Sequence, residues 1–174
     1  MRTVGFEGGA SIEVLGTIAD VELFFGCVGE YAESAHPEQD WSLLTDRLYR
    51  RYLRLEELDR ALGLMEQVRE IFAQCPTLPS VDWDGWKKAV AEDPESSKLD
   101  ISRPTLADVF SRYFKSFAHC VESAKVSYET FKPRPDAYMP VRVTIADIPD
   151  CVTLYFNRPL SEFDELEGKP LWLR

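Results

Sequence analysis

The chain has 174 residues, 45% of them apolar and 12% aromatic, with a formal net charge of −10 and a pI near 4.7. That length suits one domain, which buries roughly 70% of the surface its unfolded chain exposes, and the apolar fraction excludes disorder for the chain as a whole. The acidity excludes non-specific nucleic-acid binding and attraction to an anionic membrane surface, because both present phosphates that a chain of this sign repels.

Residues 2–16, "RTVGFEGGASIEVLG", read as a β-hairpin. Val4 and Phe6 alternate with polar or small neighbours, Ile12 and Val14 do the same, and Gly8-Gly9 supplies the positive φ of a tight turn. A helix is predicted from about Ile18 to Ser34, because Ile18, Val21, Phe24, Phe25, Val28 and Tyr31 recur at three- and four-residue spacing. Thr17 is its cap. Gly26 and Gly29 weaken it, each costing up to ~1 kcal/mol against Ala.

From Trp41 to Phe72 the apolar residues fit a helical stripe almost throughout. A helix from about Arg54 to Gln74 follows from that spacing. The segment 42–52 is either its extension or a strand feeding it, since "RLYRRYL" also alternates and is rich in strand formers. A helix of more than 30 residues is rare in a small domain, which places a break near residue 53. "CPTLPS" stops the helix with two prolines. Ser80 or Asp82 then caps a short helix to about Ala91, with Trp83, Trp86 and Val90 on one face. Residues 92–102, "EDPESSKLDIS", form an acidic loop. A long amphipathic helix, about 105–131, opens on the pair Thr105 and Asp108, which has the spacing of a capping box. "VRVTIAD" and "CVTLYFN" alternate as strands, and "LWLR" is a last short strand. The order of strands, helices and strands predicts an α+β fold: an antiparallel sheet from the N-terminal hairpin and C-terminal strands, packed with three to four helices in a single domain.

The charge is uneven. Residues 1–40 hold eight acids against Arg2 alone, a local charge of −7, whereas Arg47, Arg50, Arg51 and Arg54 follow within eight residues. The molecule is therefore expected to be dipolar, suited to a cationic partner or simply to solubility. Cys27, Cys75, Cys120 and Cys151 are widely spaced, and no apolar segment follows Met1. A cytoplasmic protein with four free thiols is the expectation. No apolar run reaches the ~20 residues of a membrane span.

Chemistry-bearing motifs are missing. No HExxH or paired CxxC converges on a metal, and no GxGxxG, GxxxxGK[ST] or GxSxG is present. His36 and His119 read as structural, and adjacent His119 and Cys120 point about 100° apart on a helix, so they make no catalytic pair. The expectation is a protein without enzymatic activity, cofactor or metal.

Three stretches carry a family likeness: "LTDRLYRRYLRLEELDRALGLMEQVREIF", "PTLADVFSRYFKSFAHCVESAKVSYETF" and the C-terminal "NRPLSEFDELEGKPLWLR". In general pattern, rather than in any invariant signature, the chain resembles bacterial immunity proteins, the antidotes of polymorphic or contact-dependent growth-inhibition toxins. The resemblance implies stoichiometric binding to a cognate toxin C-terminal domain, often a basic nuclease, with no nucleic acid or membrane partner. It transfers no contact residues. Charge and helical spacing nominate Asp20, Glu22, Glu30 and Glu33 on the exposed side of the first helix, with Glu92, Asp93 and Glu95 in the loop. The alternatives are a non-catalytic scaffold or regulatory protein, and an enzyme with an unrecognised site.

Overall fold

A computed structural model describes residues 2–132, 141–147 and 170–173. Three antiparallel strands, β1 (Val4–Gly8), β2 (Ser11–Gly16) and β3 (Arg142–Ile145), form a sheet in the order β2-β1-β3. The hairpin and the return of a C-terminal strand follow the sequence reading, and the architecture is α+β. In the hairpin turn only Gly9 has a positive φ, +57°, and Gly8 serves differently. A Cβ on Gly8 would lie 2.3 Å from the Cys120 carbonyl oxygen, so the missing side chain lets the hairpin sit directly on a helix backbone.

That helix is α7 (Ser111–Phe131), which packs across β1 and β2. Its stripe of Tyr113, Phe114, Phe117, Cys120, Val121 and Ala124 is buried throughout. Phe6 of β1 meets Tyr113 and Phe117 edge-on, at centroid distances of 6.3 and 5.5 Å. The single helix predicted over 105–131 is divided. The capping box of Thr105 and Asp108 starts α6 (Leu106–Val109), and Phe110, with φ −95° and ψ 17°, separates it from α7. Phe110 is fully buried against Phe24 and Phe72, so core packing holds the kink in place.

Helix α1 (Ile18–Cys27) continues through a wide π turn at Val28–Ala32 into α2 (Glu33–Ala35). Phe24 sits at the centre of the core, 4.5 Å from the Tyr113 ring and edge-on to Phe25, Phe72, Phe110 and Phe114. The undecided segment 42–52 is neither an extension nor a strand. It makes its own helical turns at Leu43–Leu48, and the chain then extends through the expected break, where Leu53 bridges Val141 beside β3. A 3₁₀ turn at Leu55–Glu57 leads into α3 (Leu58–Phe72).

After α3 come the short α4 (Thr77–Ser80) and α5 (Trp83–Ala89), the latter capped by Asp82, whose Oδ1 accepts from the Gly85 amide at 3.0 Å. Trp83 is buried, donates to the Thr77 carbonyl at 2.8 Å and meets Trp86 edge-on. The two tryptophans belong to a packed element. The structure thus holds seven α-helical segments among the described residues, where three to four were expected. "LWLR" is not a strand: Leu171–Leu173 is a 3₁₀ turn whose Trp172 donates to the Tyr49 carbonyl at 2.8 Å. The strand read in "CVTLYFN" lies outside the described residues.

Candidate functional site: an acidic ridge between two grooves

The acidic N-terminal stretch is less uniform in space than in sequence. Glu7 is buried on β1, where the Nε of Arg142, its register partner on β3, donates to it at 2.7 Å. Glu13 contacts His119 at 2.6 Å, Glu38 contacts His36 at 3.3 Å, and Asp40 contacts Arg60 at 3.6 Å. Both histidines thus face surface carboxylates. Among the described residues no group of three His, Cys, Asp or Glu could hold a metal ion.

Asp20 corrects the sequence reading. It was placed on the exposed side of the first helix, yet it is 0% exposed. As the third residue of α1 it closes a capping box with Thr17: Thr17 N–H donates to its Oδ2 at 2.9 Å, and its own N–H donates to Thr17 Oγ1 at 3.2 Å. Its other oxygen accepts from Trp86 Nε1 at 2.8 Å and Ser97 Oγ at 2.9 Å. The carboxylate therefore ties α1, α5 and the acidic loop together and is not available to a partner.

What remains open on the first helix is Glu22, Glu30 and Glu33. All three are exposed and make no ion pair among the described residues. They stand along a ridge with a groove on each side. The larger groove, about 820 Å³, lies between α1 and α5. Leu23, Cys27, Tyr31 and Trp86 line its wall, and Glu22, Glu30 and Asp82 give it negative charge. The Tyr31 hydroxyl donates to the Ser80 carbonyl and fixes the groove's far end. Burial, reinforced by Glu30, pushes the Cys27 thiol up to about 12. It is therefore a packing group rather than a nucleophile. The second groove, about 320 Å³, is bounded by Phe25, Gly29, Thr45, Tyr49 and Arg50 and shares Glu22, Gly26, Glu30 with the first.

Gly26 and Gly29 bare the backbone along this ridge. A Cβ added at either position would meet nothing within 4 Å, so no internal contact requires glycine there. The helix carries that cost, together with a π turn, at one surface. The two glycines were visible in the sequence as helix-weakening residues. The contribution of Tyr31 and Trp86 was not, because it depends on α5 folding back over α1.

The loop acids sit apart. Glu92 and Glu95 are exposed, and Asp93 is half-buried with its carboxyl held below the usual range by the Ser96 hydroxyl. None of the three lines either groove. Ser97 anchors their loop at the Asp20 end of α1, and Glu33 lies thirteen residues further on. At 1.5 Å per helical residue that is about 20 Å. Of the nominated residues, Glu22, Glu30 and Glu33 border the grooves, the loop acids do not, and Asp20 is buried. No helix among the described residues is long and apolar enough to cross a membrane. No protein-family model, no curated protein and no solved structure matches the chain.

Proposed function

We propose that this chain is a cytoplasmic immunity protein, which neutralises the C-terminal domain of a cognate bacterial toxin by binding it stoichiometrically. The partner surface is basic, as in the phosphate-binding cleft of a nuclease. The observation that carries this reading is the ridge of Glu22, Glu30 and Glu33, three exposed carboxylates, unpaired among the described residues, beside grooves with aromatic walls. Such a surface supports both halves of tight binding. Opposed charge raises association toward about 10⁸ M⁻¹s⁻¹ at low salt. Apolar anchors lodged in the grooves against Trp86, Tyr31 and Leu23 supply most of the affinity. The resemblance to immunity proteins in the 44–72 and 104–131 stretches points the same way.

The test is a variant with Glu22, Glu30 and Glu33 all changed to Lys, assayed with a co-purifying toxin domain by surface plasmon resonance across a salt series. The expected result is slower association with a flatter salt dependence, weaker protection of toxin-expressing cells, and thermal stability close to wild type. A variant that binds and protects as wild type does at physiological salt refutes the acidic ridge. Failure of the wild-type chain to capture any toxin domain refutes the immunity reading, and leaves acidity serving solubility alone.

A further inference from the structure

A second charged site lies outside the acidic ridge. A pocket of about 370 Å³ opens where the loop 98–103 meets the end of α6 and the first turn of α7. We propose that it binds a phosphate dianion, either free or as the head of a small phosphomonoester.

Four cations line the pocket, Lys98, Arg103, Arg112 and Lys115, against two carboxylates, Asp100 and Asp108. Four minus two leaves +2 in a chain whose net charge is −10. Both carboxylates are already committed. Asp108 accepts from Thr105 Oγ1 at 2.7 Å in the α6 cap. Asp100 accepts from the Ser102 amide at 3.1 Å and from Arg103 Nε at 3.2 Å, which occupies Arg103 as well. Among the described residues Lys98 reaches only the Glu95 carbonyl, at 3.3 Å. Arg112 and Lys115 are exposed and make no ion pair among the described residues.

Ser116 is the independent sign. It is 5% exposed, it lines this pocket, and its side chain makes no hydrogen bond among the described residues. Ser34 and Ser80, by contrast, each donate to a carbonyl four residues earlier. Unlike the Tyr113 hydroxyl, which is sealed off without a partner, the Ser116 hydroxyl opens to the pocket, where a bound anion accepts its hydrogen bond.

The chemistry favours phosphate. The pocket's +2 matches a phosphate monoester's charge, and the fork of a guanidinium matches two phosphate oxygens. Ammonium and hydroxyl groups supply the remaining donors, and the N-terminal turn of α7 adds the positive end of its dipole. Repulsion from the acidic ridge is screened over a Debye length of about 8 Å at physiological ionic strength, while the pocket's own charges act at contact.

The experiment is a ¹H–¹⁵N NMR titration of the full chain with inorganic phosphate, and in a second arm with glycerol 3-phosphate, at constant ionic strength maintained with chloride. Saturable shifts confined to the amides of 98–103 and 111–116 are expected. Tighter binding of the ester identifies a phosphorylated metabolite as the source, and equal binding identifies free phosphate. The double variant Arg112→Gln, Lys115→Gln, exposed at both positions, is expected to bind at least about tenfold more weakly, because each lost charged contact is worth about that factor. Ser116→Ala is expected to weaken binding severalfold without altering the rest of the spectrum. Shifts that follow ionic strength without saturating, saturable shifts elsewhere, or unchanged affinity in the double variant overturn the proposal.

Discussion

Asp20→Ala separates a structural carboxylate from a docking one. Asp20 accepts three hydrogen bonds, from the Thr17 amide, Trp86 Nε1 and Ser97 Oγ, all between 2.8 and 2.9 Å. A hydrogen bond to a charged group contributes about 1.5–3 kcal/mol. Thr17 is 1% exposed, so its N–H finds no replacement, whereas Trp86 and Ser97 are half-buried and regain water in part. The net cost of Asp20→Ala is on the order of 4 kcal/mol, with the low interior dielectric coupling the three bonds. For a chain of this length that lowers Tm by roughly 8–16 °C. Asp20→Asn keeps one acceptor oxygen and is expected to cost about half as much. Urea unfolding followed by tryptophan fluorescence and far-ultraviolet circular dichroism measures both, with Glu22→Ala as the control, expected within about 0.5 kcal/mol of wild type. A loss below about 1 kcal/mol for Asp20→Ala refutes the reasoning, because three satisfied bonds at a buried helix cap cannot be removed so cheaply.

Gly26→Ala should raise stability by about 0.5–1 kcal/mol, since the new methyl group meets no atom and the helix gains propensity; a urea midpoint lower than wild type contradicts this. The same variant should weaken toxin binding if the bare ridge lets the partner approach the backbone closely. Burial holds the Cys27 and Cys120 thiols up at about 12, against 9.0 for an unburied thiol. The unfolded chain therefore loses these protons first, so their contribution is intact below pH 9 and falls as pH rises from 9 toward 12. Urea midpoints across that window should decline less steeply in a Cys27→Ala, Cys120→Ala variant, and an equally steep decline rules out the thiols as the cause.

Local rules made much of the fold legible. The turn at Gly9, the caps at Thr17 and Thr105, and the apolar stripe of α7 all follow from neighbouring residues and were read from the sequence, and Asp82 was one of the two caps read for α5. The break near residue 53 was legible too, although the helical turns at Leu43–Leu48 were not, because alternation and a helical stripe coincide there. The kink at Phe110 escaped because a continuous 3.6-residue period says nothing about packing against Phe24 and Phe72. "LWLR" became a 3₁₀ turn because Trp172 seats against Tyr49, a partner 123 residues away.

The acidic N-terminal stretch shows the division most clearly. Sequence alone determined that residues 1–40 carry −7, and that Glu22, Glu30 and Glu33 stand off the apolar stripe of the first helix. Only the tertiary structure decided which acids remain open to a partner. It placed Glu7 against Arg142 across the sheet and drew Asp20 inward to Trp86 and Ser97, 66 and 77 residues away. The physical reason is that helical periodicity sorts residues by apolar content. An acid that satisfies distant donors at a helix cap looks the same, in that pattern, as one that faces water.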